Sequence, residues 1–402
     1  MNKINKDWKE VKLGDIVDIT MGQSPKSQFY NKINKGMPFL QGSSTFGHLY
    51  PSFEIYSSDI KKIAVNGSIL MSVRAPVGDL NMANTDICIG RGLCSINGKN
   101  KSLNRYIFYL LNYYKSKIVN IQTGTVFGAI SKDNILNFKV SIPQSEKEQK
   151  RIASILSALD DKIELNNKTN KILEEMAQTI FKEWFINFNF PNEDGKPYKK
   201  SGGEMIDSEL GKIPKGWKVI TLKDIISIAK GKKPNATSDK ITEKFTMPYL
   251  TINCYNNEAT EYTEYNEKMH VKELDIVMVM DGNAGKIFYG KEGILSSTMA
   301  KLIVEDSNLN ELVFYFLKSI EYDLMYHTVG SVIQHADKQY MLNKKFCVSL
   351  DNLERLSDIF KCIRKEISLN KKENEKLSNI RDSLLPKLMT PKGRRADGEI
   401  RV

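Results

Sequence analysis

The sequence predicts an α+β protein in which two globular α/β domains, related by an internal repeat, are separated by an antiparallel coiled coil of two long helices. Three observations carry that expectation. One stretch holds an unbroken heptad seam, the same seam returns about 200 residues later, and an ordered series of shorter matches ties the two halves together.

The first long helix is read from Glu146–Trp184, which contains no proline or glycine. Its seam is Ile152, Leu156, Leu159, Ile163, Asn166, Asn170, Leu173, Ala177, Ile180 and Trp184, with steps alternating four and three. That spacing is the a/d pattern of a coiled coil. Adding 204 gives Leu356, Phe360, Ile363, Ile367, Asn370, Asn374, Leu377, Arg381, Leu384 and Leu388. Both asparagines recur. A buried seam asparagine lowers stability and fixes register. Aligned antiparallel at their centres, the helices set Asn166 near Asn374 and Asn170 near Asn370. A parallel pair would also match asparagines, so spacing alone leaves the direction open. Connectivity decides it: a compact domain with close ends between the helices sends the second one back along the first.

The repeat extends beyond the helices. Trp8, Leu13, Asp15, Gly22 and Pro25 return 209 residues later as Trp217, Leu222, Asp224, Gly231 and Pro234. Met37-Pro38-Phe39-Leu40 returns as Met247-Pro248-Tyr249-Leu250, Gly78 as Gly285, and Gly124-Thr125 as Gly330-Ser331. The drifting offset is what loop insertions and deletions produce. The chain therefore divides into a first globule (1–143), a first spacer helix (144–186), a linker (187–216), a second globule (217–350), a second spacer helix (351–390) and a basic tail (391–402). Ser68–Val73 reads as a buried strand and Leu103–Tyr114 as a helix. Each globule is expected to hold a small mixed sheet. About 40 helical residues at roughly 1.5 Å each make a rod roughly 60 Å long, with a reader expected at each end.

At 402 residues the chain is long enough for two or three cores. A net charge of +11 with pI ≈ 9.1 points to an anionic partner, nucleic acid first. No apolar run has transmembrane length, and the charged start shows no signal peptide. The five cysteines form no CxxC and read as free thiols in a reducing cytoplasm. The first globule carries the positive charge, whereas the second holds 16 Lys/Arg against 17 Asp/Glu.

No catalytic motif survives inspection. There is no Pro-Pro pair and hence no Asn/Asp-Pro-Pro-aromatic amino-methyltransferase motif. Gly282-Asn283-Ala284-Gly285-Lys286 is too short for a P-loop and lacks its Ser/Thr. The four histidines lie far from any cysteine at zinc spacing, so no metal site is expected.

The block EKEQKRIASILSALDDKIELNNK, followed by FKEWFINFNFPNEDGKPYKKSGGEMIDSELGKIPKGW, resembles the specificity subunit of type I restriction–modification systems. The resemblance covers nearly the whole chain. It implies that each globule is a target recognition domain reading one half of a split double-stranded DNA target, and that the helix pair sets the unread spacer. It implies a chain without catalysis or cofactor of its own. Two methyltransferase (modification) subunits would use S-adenosylmethionine, and restriction/translocase subunits would use ATP and Mg. No membrane partner is implied.

Base edges are read by Arg, Lys, Asn, Gln, Ser and Thr, and phosphates mostly by Arg and Lys. Candidates in the first globule are Gln23, Ser24, Lys26 and Gln28 in the loop after the opening strand, with Arg74, Arg91 and Thr125. In the second they are Lys232, Lys233 and Asn235, Asn283 and Lys286, and Gln334, His335, Lys338 and Gln339. Arg74 has Asp281 as its repeat partner, as expected of globules reading different sequences. Two other readings stay open: a non-enzymatic protein–protein scaffold with incidental positive charge, and a standalone restriction enzyme, which needs a motif the chain does not show.

Overall fold

The computed structural model describes residues 7–120, 128–255, 260–330, 334–349 and 353–391. The chain forms two compact units, Met1–Thr169 with Leu369–Val402, and Asn170–Ser368. Both long helices contribute to both units, so the units cut across the helices rather than stopping at their ends, as the repeat alone suggests.

In the first unit, Trp8–Lys12 pairs antiparallel with Lys139–Pro143, Trp8 opposite Pro143. This closes the globule's ends together and delivers the chain to the long helix Glu146–Phe181 three residues later. Two sheets follow, where one mixed sheet was expected. The first has the order Val17–Met21, Leu93–Gly98, Ile69–Ser72, Leu80–Met82, all antiparallel. Ile69–Ser72 is buried along its whole length, which is why it reads as an apolar run rather than an alternation. The helix Asn104–Val119 belongs to the same core, through Tyr106, Ile107, Tyr109 and Leu110. The second sheet has the order Tyr30–Asn31, Tyr56–Ser57, Met37–Leu40, Ile87–Ile89, Ile63–Ala64, with Phe39 opposite Cys88 in its one parallel pair.

Among the described residues the second unit repeats this plan, one edge strand short. Lys218–Thr221 pairs with Lys345–Val348 to close the globule ahead of the long helix Leu353–Leu388. Its sheets run Ile226–Lys230, Met299–Val304, Ile276–Val279, Ile287–Tyr289, and Glu261–Thr263, Met247–Leu250, Gly293–Leu295, His270–Val271. The parallel pair returns with Tyr249 opposite Ile294. The linker is not a loose connection. It forms the hairpin Met205–Ser208 with Gly211–Pro214, and Phe190 stacks on both Tyr198 and Trp217, at 4.7 and 4.9 Å.

None of the twenty seam residues is exposed. In the first unit the helices run antiparallel. Asn166 Nδ2 donates to Asn374 Oδ1 at 2.8 Å and to Glu373 Oε2 at 2.7 Å, and Arg381 Nη1 donates to Asp160 Oδ1 at 2.7 Å. Asn370 is buried and Asn170 half-buried. In the second unit Ala177, Phe181 and Phe185 meet Phe360, Ile363 and Leu356 in one core. The first helix ends in a π turn, Lys182–Ile186, and the second carries Pro386 in its last turn.

Arg381, the one charged seam residue, has a buried partner. The Asp160 side chain is 2% exposed and accepts hydrogen bonds from Tyr109 Oη at 2.6 Å and from Arg381, with His48 Nε2 at 2.9 Å. Burial pushes its carboxyl up, and those three partners outweigh burial and hold it below the ordinary aspartate range. One residue on, Asp161 accepts from Arg105 Nη2 at 2.9 Å. The repeat inverts these charges. Arg364 stands where Asp160 would, and Glu311 where Arg105 would. Arg364 lies 3.5 Å over the Tyr289 ring, and the Tyr289 hydroxyl donates to Glu311.

Candidate nucleic-acid interface

Three loops meet at one end of the first unit's sheets. Gly22 N donates to Leu93 O, Gln23 N to Ile89 O and Gly92 N to Gln41 O, at 2.9 to 3.1 Å. Ser24 Oγ donates to Gln41 Oε1 at 2.8 Å and accepts from Arg91 N at 3.1 Å. The nesting is close enough that glycine is required. A Cβ on Gly22 would sit 2.1 Å from Gly90 O, and one on Gly92 would sit 2.4 Å from Gln41 O. Val73 N donates to Gly92 O, Ile130 N donates to Val73 O, and Arg74 bridges Ala129. Gln23, Arg74 and Arg91 are thereby brought to one surface, all exposed, with Ser24 beneath them as the tie. Lys26 and Gln28 continue the same loop into the turn Ser27–Phe29 and are exposed. Thr125 lies outside the described residues.

The second unit builds the same frame from different side chains. Gly231 N donates to Met299 O, Ser296 N to Leu250 O, Met280 N to Thr298 O and Ala336 N to Met280 O. These repeat the first unit's bonds from Gly22 to Leu93, Gly90 to Leu40, Val73 to Gly92 and Ile130 to Val73. A Cβ on Gly231 would meet Ser296 O at 2.1 Å, as on Gly22. The loop that follows exposes Lys232, Lys233 and Asn235.

Opposite that loop, Asp281 bridges His335, and Gly282 N donates to Gln334 O at 3.0 Å. His335 and Gln334 are therefore in the cluster and exposed. Asn283 is exposed in the adjoining turn, whereas Lys286 stands at its base, half-buried, its carbonyl accepting from Val279 N. Lys338 and Gln339 are exposed in the first turn of the short helix Lys338–Leu342, which Asp337 caps. They are close in sequence to the cluster but are not part of its hydrogen bonding.

Two participants were missed from sequence. Gln41 ties two loops of the first unit; its only trace was its place directly after the repeated Met-Pro-Phe-Leu. Lys230, in the run Lys230-Gly231-Lys232-Lys233, has its Nζ 3.4 Å from Asp281 Oδ2. Burial pushes the Asp281 carboxyl up, and His335 and Lys230 overcome this and hold it below the ordinary range.

Corresponding positions of the frame carry Met21, Gln23, Ser24, Lys26, Arg74 and Ala129 in one unit, and Lys230, Lys232, Lys233, Asn235, Asp281 and His335 in the other. The backbone is kept and each of these side chains is changed. Among the described residues no group of His, Cys, Asp or Glu is placed to hold a metal, and no helix is long and apolar enough to cross a membrane.

The model of the type I restriction modification DNA specificity domain matches the chain twice, over residues 5–175 and 214–379. The chain is similar to the putative type I restriction enzyme MjaX specificity subunit of Methanocaldococcus jannaschii, 44% identical over 183 residues, which are 45% of this chain and 43% of that one. It is also similar to the MjaIX specificity subunit of the same organism, 26% identical over 437 aligned positions, covering 100% of this chain and 95% of that one. In fold it resembles the crystal structure of the type I restriction–modification S subunit from M. genitalium, with a TM-score of 0.59 at 16% identity over 95% of this chain and 96% of that one.

Proposed function

Because the chain belongs to the type I restriction–modification DNA specificity family, we propose that its two units read the two halves of one split duplex sequence and that the paired helices set the unread gap. The observation that carries this is the repeated loop frame whose outward side chains all differ. One fold serving two different sequences needs a common scaffold and an exchanged set of contacts. The exposed lysines and arginines of both frames supply the phosphate attraction such a reader needs.

In this reading the chain is non-catalytic and needs no cofactor. Bond making belongs to partners in the cytoplasm: two methyltransferase subunits using S-adenosylmethionine, and restriction subunits using ATP and Mg. The helices support a partner present in two copies. Leu165 and Leu369 are repeat mates, 57% and 52% exposed, and so are Met176 and Ile380, at 49% and 47%. Apolar side chains left in water at matching places on both helices suit two like surfaces. Ile172 is exposed beside Met176, whereas Phe181 is core and Ile155 half-buried.

Replacing residues 7–143 by the first globule of another family member tests the proposal. The expected result is that one half of the methylated sequence changes and the other half and the gap stay. A change in both halves, or in neither, contradicts it.

A further inference from the structure

The four backbone hydrogen bonds shared by the two loop frames put one residue of each unit at the same place, two residues beyond the strands Ile69–Ser72 and Ile276–Val279. In the first unit it is Arg74, bridged to Ala129; in the second it is Asp281, bridged to His335. The chemistry presented there is opposite. Arg74 is exposed, its side chain makes no hydrogen bond or ion pair among the described residues, and its neighbour across the bridge is an alanine. Asp281 is held on both oxygens, Oδ1 lying 2.7 Å from His335 Nδ1 and Oδ2 lying 3.4 Å from Lys230 Nζ.

An ionised carboxylate has about four acceptor sites, so two partners leave it able to accept more. Its side chain remains 20% exposed, open on one side. The Lys230 ammonium also offsets the repulsion a bare carboxylate would feel from phosphates. A free guanidinium fork matches the two acceptors of guanine, O6 and N7. A carboxylate is repelled by those acceptors and accepts from the amino group of cytosine or adenine.

We propose that this position selects one base in each half-site: Arg74 selects guanine, and Asp281 selects a base bearing an amino group. The assignment rests on the DNA-reading role proposed above. His335 and Lys230 are positioning residues, fixing the carboxylate that makes the contact. The pair Arg74/Ala129 and the pair Asp281/His335 are then alternative fillings of one socket, and exchanging them exchanges the base.

The full chain, assembled with its modification subunits, is the material for the test, and the sequence methylated in cells is the readout. Arg74→Ala is expected to make one base pair of one half-site indifferent, with a loss of roughly ten- to hundredfold discrimination. Asp281→Asn, nearly isosteric and still able to bond His335, is expected to relax one base pair of the other half-site. Asp281→Arg with His335→Ala is expected to install guanine at that pair. Variants that lower methylation evenly and leave every base preference unchanged would overturn the assignment. So would a wild-type sequence with no G·C pair in the half-site read by the first unit. A wild-type assembly that methylates no split sequence would instead sink the DNA-reading role itself.

Discussion

Asp160 gathers hydrogen bonds from residues far apart in the chain, His48, Tyr109 and Arg381, and so ties both long helices to the first globule. Its carboxyl is depressed in the folded chain, so its contribution is present above the unfolded aspartate value and is lost as the pH falls through the folded one. Asp160→Asn is expected to destabilise the first unit by about 3 kcal/mol at neutral pH, because the Arg381 guanidinium loses a buried counter-charge. The same variant should flatten the acid limb of a plot of urea midpoint against pH. A midpoint equal to that of wild type at pH 7 would remove Asp160 from the account. Arg381 was legible as an anomaly in an apolar seam. Its partner was not, because no local pattern links residues 221 apart in sequence. Gly22 was legible as a glycine repeated at Gly231, but the crowding that requires it, and the equal crowding at Gly92, whose repeat mate is Thr298, came only from the fold. Which of Gln23, Arg74 and Arg91 lie together was equally hidden, since backbone bonds between loops decide it.

At the scale of elements, the long helices were the most legible part, because a heptad repeat sustained over ten positions is the mark of a coiled coil and of little else. The asparagines carry the register: Asn166 bonds Asn374 and Glu373, and Asn374 bonds Asn167. Replacing Asn166 and Asn374 together by leucine is expected to raise the denaturant midpoint while admitting displaced registers. Disulfide trapping between introduced cysteines checks this, with wild type trapping one register and the double variant trapping more. The sheets were less legible. Strands such as Tyr30–Asn31 and Ile63–Ala64 are two residues long, too short for a period of two to register. The inverted charges around Arg364 give a second prediction. Arg364→Asp, which copies the first unit, places a carboxylate beside Glu311, whose own carboxyl burial already pushes up. A loss of about 3 to 5 kcal/mol is expected in thermal unfolding. Adding Glu311→Arg should recover more than about 1 kcal/mol of that, a coupling the double-mutant cycle reads directly. Simple additivity would show the two residues to be independent.

For the whole molecule, the repeat carries the functional argument. A chain that duplicates a frame, keeps the crowded glycine (Gly22, Gly231) and the backbone bonds that hold its loops, and replaces the side chains those loops present is built to recognise two different things with one geometry. The second globule's balanced charge fits this. Its lysines at 230, 232 and 233 gather on the loop frame, and of its acidic residues Asp281 is paired there with Lys230 and His335. The most direct measurement is the sequence methylated in DNA by the assembly that contains this chain, read base by base across a genome. One split sequence is expected, with two defined halves and a gap of fixed length between them whose bases do not matter. A single uninterrupted sequence, or methylation without sequence preference, would contradict it.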